Sequence, residues 1–268
     1  MTETFDKRDC PLCGAPAASA RPLPYGTPEF RVVQCTACDQ VFLDRLPPQH
    51  EFADERAWEV SSVSHAAQRK RDYPILVAAQ RLTRWRMHIT KREPKGILAS
   101  HARPGPIVEI GCGSGVNLLP PPDGFVPYGV EISKALATAA DTAFRAFGGQ
   151  CIQAPAIEGL ATFPRGFFHG ALLIGYIEHE FLPREALVAL RGALADDAVV
   201  VVKTPNFASL NRRVMGMRWS GFRFPDHVNY FTPHTLSEIA RRAGFRAQYG
   251  WGDRNPTSDS LWGLLRAA

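Results

Sequence analysis

The stretch Ile107-Val108-Glu109-Ile110-Gly111-Cys112-Gly113-Ser114-Gly115 leaves this chain few folds to choose from. A short apolar run that stops at glycines reads as a buried strand. The three alternating glycines read as a tight turn where backbone meets a ligand with no Cβ in the way. Twenty residues beyond Gly111, Tyr128-Gly129-Val130-Glu131-Ile132 repeats the format: a short strand with a carboxylate at its tip. Strand, glycine turn, connection and acid-tipped strand make a nucleoside-binding half of a doubly wound sheet. The spacing is G-x-G-x-G, with Val116 where a dinucleotide fingerprint carries its third glycine.

The rest of the chain continues that alternation. Strands are expected at 107–110, 126–131, 151–153, 170–174, 198–203 and 245–249, and helices at 133–147, 183–194 and 235–243. Strand–helix alternation predicts an α/β fold, a mostly parallel Rossmann-like sheet covered on both faces. Ligands in such sheets sit beyond the carboxyl ends of the strands, here the glycine turn, Glu131, residues 175–180 and residues 203–206. Two features are irregular. A helix opening at Ser114 runs at once into Pro120-Pro121-Pro122, which cannot continue it. Residues 258–268 read as a helix, so the expectation is either a sheet without its last strand or a truncated chain.

Six cysteines are present, four of them in two C-x-x-C pairs: Cys10 with Cys13 and Cys35 with Cys38. Four thiolates suit a closed tetrahedral structural Zn²⁺ site with no open coordination position. Phe30-Arg31-Val32-Val33-Gln34 and Gln40-Val41-Phe42-Leu43 read as a hairpin around the second pair, so residues 1–50 read as a zinc ribbon. A unit this short needs the metal to fold.

Residues 51–95 read as a linker followed by a basic helix over 65–93 that covers the ligand site, with residues 96–268 as the main domain. Between Arg69 and Lys95 lie nine Lys/Arg against two acids, within a net charge of +5. Such a run is either a solvated helix face or an attractor of nucleic acid or an anionic substrate. The longest apolar runs fall short of the roughly 18 residues of a membrane helix, and the polar N-terminus carries no secretory h-region. The expectation is a cytoplasmic protein without a membrane span.

The set Val108–Gly115 by sequence, Gly129-Val130-Glu131-Ile132-Ser133, Ile177-Glu178-His179 and Lys203-Thr204-Pro205-Asn206 resembles the class I S-adenosylmethionine-dependent methyltransferases. Trp219-Ser220-Gly221-Phe222 and Pro225-Asp226-His227 resemble the branch related to the ubiquinone-pathway O-methyltransferases, many bacterial members of which carry an N-terminal zinc ribbon. The resemblance implies S-adenosylmethionine as cofactor, held by Glu109, Gly111, Cys112, Gly113, Gly115, Asn117, Glu131, Ile132, Ile157, Gly175 and Tyr176. In it, Glu131 takes both ribose hydroxyls, as an acceptor-only carboxylate can. Ala154-Pro155-Ala156 stands where the family usually has an acid near the adenine, and Gly175 where the ubiquinone branch has a further acid before its Glu-His pair.

Methyl transfer aligns nucleophile, carbon and sulfur, and often removes a proton from the nucleophile. His179 is the first candidate base, oriented by Glu178, and His227 the second. Tyr176 and Tyr230, and the basic residues Arg212, Arg213, Arg218 and Arg223 beside Trp219, Phe222 and Phe224, are candidates for the acceptor pocket. The favoured partner is a small-molecule O-, N- or C-acceptor such as a sugar, lipid precursor or secondary metabolite. The alternatives are an RNA methyltransferase and a non-catalytic protein that binds zinc and cofactor.

Overall fold

In the computed structural model, residues 6–46, 64, 67–75, 77–78 and 92–268 are described. The N-terminal part holds β1 (Asp6–Lys7), β2 (Arg21–Gly26), β3 (Arg31–Gln34), β4 (Val41–Leu43) and β5 (Arg45–Leu46). After α1 (Pro94–Ala99) come β6 (Gly105–Ile110), β7 (Phe125–Glu131), α2 (Lys134–Arg145), β8 (Gln150–Gln153) and α3 (Ala156–Ala161). The chain continues through β9 (Phe168–Ile174), α4 (Pro183–Ala193), β10 (Leu194–Pro205), α5 (Leu210–Met215) and β11 (Asn229–Tyr230). It closes with α6 (Pro233–Arg242), β12 (Phe245–Gln248) and β13 (Ser260–Ala267).

Seven strands form the main sheet in the order β12-β13-β10-β9-β6-β7-β8. β10, β9, β6, β7 and β8 run parallel. Alternation within the strands builds two cores. Val108, Ile110, Val200 and Val202 pack with Leu160, Leu187, Leu190, Leu236 and Ile239 from α3, α4 and α6. Ile107, Val199 and Val201 face the other way, onto Leu98, Ala137, Ala140 and Phe144 of α1 and α2. The chain order reverses between β6 and β9, which is where a doubly wound sheet opens its ligand crevice.

Three expectations change. The C-terminal residues are not a helix: β13 pairs antiparallel with both β10 and β12 and completes a seventh strand. Its burial alternates, with Leu261, Gly263 and Leu265 inward. Leu261, Leu264 and Leu265 also fit helical spacing, and only the empty slot between β10 and β12 decides for strand.

The helix expected at Ser114 does not form; residues 114–122 are turns. Leu118 plugs the second core from this segment, and Lys95 Nζ donates to the carbonyls of Leu119 and Pro120 at 3.0 Å each. Conversely, α3 was not expected. It forms because Gly159 lets it lie on β7, where a Cβ would come within 2.4 Å of Val130.

The ribbon is not a separate bead. Its sheet runs β11-β4-β3-β2, so Asn229 and Tyr230 of the main domain supply its fourth strand. Phe30, Val32, Val41 and Leu43 share a core with Phe207, Trp219, Val228 and Tyr230. The basic helix read over 65–93 lies mostly outside the described residues. Within them Val77 N donates to the Tyr73 carbonyl in helical fashion, while Ile75, read as part of an apolar face, is exposed.

Candidate active site

A cavity of about 700 Å³ opens beyond the carboxyl ends of β6, β7, β9 and β10. One wall is the glycine turn. Gly111, Gly113 and Gly115 all adopt positive φ, +65°, +55° and +84°. Gly111 has a second constraint, because a Cβ there would meet the Tyr176 ring at 2.9 Å. Gly115 faces away from the cavity, with Phe144 where its Cβ would be.

Glu131 ties β7 to this turn. Its Oε2 accepts from Gly113 N at 2.8 Å and its Oε1 from Ser133 N at 2.9 Å. Each carboxylate oxygen retains a further lone pair for a ligand hydroxyl. Ser133 in turn caps α2, its side chain accepting from Leu136 N. The chain therefore presents an acceptor carboxylate, bare backbone and a helix start to one ligand edge.

Glu109 lies behind that wall, fully buried. Its Oε1 accepts from Asn117 Nδ2 at 2.7 Å, and its Oε2 has no partner among the described residues. Burial pushes the Glu109 carboxyl up to about 8. Asn117 itself reaches the cavity, so Glu109 acts there by holding Asn117.

The wall opposite is the loop after β9. Gly175, Tyr176, Glu178 and His179 line it, joined by Arg223, Asp226 and His227 from the segment before β11. The two histidine rings meet edge to face with centroids 4.7 Å apart. His179 Nδ1 lies 2.9 Å from the Asp226 carbonyl and His227 Nδ1 2.8 Å from the Gly221 carbonyl. A carbonyl only accepts, so each ring carries a proton on Nδ1. Glu178 is buried, which pushes its carboxyl up to about 7. Tyr176 donates its hydroxyl to Glu180, and burial raises that phenol well above its ordinary range.

Most residues expected at the cofactor do gather on this cavity: Gly111, Cys112, Gly113, Asn117, Glu131, Ile132, Ile157, Gly175 and Tyr176. Glu109 and Gly115 stand behind it. Of the basic and aromatic acceptor candidates, Tyr176 and Arg223 reach the wall. Trp219, Phe222, Phe224 and Tyr230 build the core shared with the ribbon, and Arg212 lies over the Phe207 ring. Glu158 and Asp259 also line the cavity. Glu158 stands two residues after the Ala154-Pro155-Ala156 run, in the first turn of α3, a position visible in sequence only once α3 is recognised.

A family model described as a methyltransferase domain matches residues 78–249. The chain belongs to that methyltransferase family. Its fold is shared with the CcbJ methyltransferase from Streptomyces caelestis, at 17% identity and a TM-score of 0.54 over 66% of this chain and 94% of that one. It is shared likewise with a 1,6-didemethyltoxoflavin-N1-methyltransferase from Burkholderia thailandensis, at 17% identity and a TM-score of 0.52 over 92% and 97%. No curated protein matches the sequence. The methyltransferase is S-adenosylmethionine-dependent, with the class I Rossmann-like fold.

The second concentration of ligating side chains is in the ribbon. Cys10, Cys13, Cys35 and Cys38 place their sulfurs within 4.8 Å of one another. Cys10 and Cys38 are 3.5 Å apart, and Cys13 and Cys35 3.6 Å. A tetrahedral zinc with Zn–S bonds of about 2.3 Å separates its sulfurs by about 3.8 Å, so the set fits such an ion.

Proposed function

We propose that this methyltransferase methylates an O, N or C nucleophile of a small molecule, of the sugar, lipid-precursor or secondary-metabolite kind. The observation that carries the reading is the cavity: its 700 Å³ falls within the roughly 300–1,000 Å³ of small-molecule sites. When bound, S-adenosylmethionine supplies an electrophilic sulfonium methyl. Glu131 would take its ribose hydroxyls, the backbone of the turn at Gly111–Gly113 with Asn117 would hold its amino-acid end, and Ile132 and Ile157 would line the adenine. His179 removes the acceptor proton, its ring fixed through Nδ1 by the Asp226 carbonyl. His227 stands edge-on as a second proton-accepting ring, and buried Glu178 sets the loop that carries His179. Cys10, Cys13, Cys35 and Cys38 hold a structural zinc.

Labelled S-adenosylmethionine tests the acceptor class. After incubation with a cell extract, label is expected in material that passes an ultrafiltration membrane. Label confined to RNA would overturn the small-molecule reading. Metal analysis of purified protein should return one zinc per chain, lost in Cys35→Ser.

A further inference from the structure

Arg8 stands two residues before the first ribbon cysteine, yet its side chain points at the loop bearing Glu178 and His179. The residue is 9% exposed. Its Nη2 donates to the Phe181 carbonyl at 2.6 Å and to Asn229 Oδ1 at 3.0 Å, and its Nη1 to the Val228 carbonyl at 3.4 Å. Asn229, in β11, extends the same network. Its Nδ2 donates to the carbonyls of Ile177 at 3.0 Å and Glu180 at 2.7 Å. Val228 N and Asn229 N both donate to the Glu178 carbonyl, at 2.8 and 3.0 Å. The carbonyls of residues 177, 178, 180 and 181 are thus all held from the ribbon side, with His179 in the middle of the run.

A guanidinium buried among neutral acceptors is costly. Burial pulls Arg8 down to about 10, with Glu180 nearby opposing the drop. A methionine of similar length would pack there without that penalty. What Arg8 adds is geometry: a planar fork that reaches two separate chain segments at once.

We infer that Arg8 is a positioning residue, through which the ribbon sets the orientation of His179 at the acceptor end of the cavity. The cofactor end is built chiefly on the turns after β6 and β7, which Arg8 does not touch, and its residues Gly175 and Tyr176 precede the run that Arg8 and Asn229 hold. Disturbing Arg8 therefore separates the two halves of the site. The inference rests on His179 being the acid–base group there. It also predicts that losing the ribbon's metal reaches His179 by the same path, since Arg8 N is anchored on the Asp44 carbonyl of the ribbon at 3.0 Å.

The test needs no acceptor. In the full chain, the His179 ring proton resonance, assigned by its loss in His179→Gln, is titrated from pH 5 to 9, and S-adenosylhomocysteine affinity is measured by calorimetry. For Arg8→Met the expected result is a displaced or broadened His179 resonance with a shifted midpoint, and affinity within about threefold of the parent. Arg8→Lys, which keeps one donor and the charge, should fall between. Stripping the metal with a chelator should move the same resonance in the same direction. An unchanged His179 titration in Arg8→Met would overturn the inference. So would a loss of S-adenosylhomocysteine affinity in step with the change, because that means general damage. If Arg8→Met does not fold, Asn229→Ala, which removes the bonds to residues 177 and 180, must show the same split for the inference to stand. The acid–base reading fails separately: full turnover in His179→Gln sinks it and leaves the positioning result untouched.

Discussion

In the proposed cofactor site Glu131 uses its two oxygens twice over, first for the protein and then for the ligand. The bonds from Gly113 N and Ser133 N are already in place, so a ligand hydroxyl meets a carboxylate that cannot turn away. Hydrogen bonds to charged groups are worth roughly 1.5–3 kcal/mol each. Glu131→Ala should weaken S-adenosylhomocysteine binding at least tenfold in calorimetry, and also loosen the glycine turn. Glu109 gives a pH signature. Its carboxyl is pushed up to about 8 against an ordinary 4.5, so between those values the folded chain holds a proton that the unfolded chain has lost. The contribution of Glu109 to stability should therefore be full below pH 4.5 and be lost as pH rises towards 8. Glu178, pushed up to about 7, adds a slope of the same sign up to pH 7. Urea unfolding of Glu109→Gln at pH 5 and pH 8 should show a flatter dependence than the parent; an equal slope would mean that the buried acid is not the source. Both acids were legible in the sequence as strand-end carboxylates. Both lie on the same face of the sheet, since Glu109 pairs with Gly129, two residues before Glu131; Glu131 ends β7 at the cavity, whereas Glu109 lies one residue inside β6, behind Asn117.

At the scale of elements, the turn after β6 and the last strand behave differently. The turn is local. Its glycines and their positive φ follow from adjacent residues, so it was readable, whereas its contact with Tyr176 comes from the loop after β9. Gly111→Ala should strain φ and press on the Tyr176 ring, abolishing measurable S-adenosylhomocysteine binding while far-UV circular dichroism stays close to the parent's. β13 is non-local. Its residues carry Leu spacings that fit a helix as well as a strand, and the hydrogen bonds that choose between them come from β10 and β12. Leu265 is fully buried, and deleting such a side chain costs about 2–5 kcal/mol. Leu265→Ala should lower the unfolding free energy by that amount; a change under about 1 kcal/mol would contradict its place in the sheet. The absent helix after Ser114 is the reverse case: the three prolines foretold its failure, but not that Leu118 and Lys95 would replace its support.

For the molecule as a whole, the ribbon and the sheet share one core and one active-site loop. Trp219, buried between Phe207 and Phe222, donates its indole N–H to Asp259 Oδ1 at 2.7 Å. It reports on that shared core. Cys35→Ser should release zinc and shift Trp219 emission towards the red as water enters, with Trp219→Phe assigning the signal among the five tryptophans. Unchanged emission after metal loss would mean that the ribbon keeps its packing without the ion.

The sequence by itself determined the parts whose chemistry is carried by neighbours: the glycine turn, the acid at the tip of β7, the Glu-His pair after β9 and the four thiols in two tight pairs. Those signals survive in one dimension because each needs only a few consecutive residues to adopt its geometry. Tertiary structure decided what depends on partners far along the chain. It made residues 260–267 a strand, turned the acceptor-pocket aromatics into a core, gave the ribbon its fourth strand from residues 229–230, and brought Arg8 to Phe181. No local pattern encodes such pairings, because their free energy is gained only when segments distant in sequence bury one another.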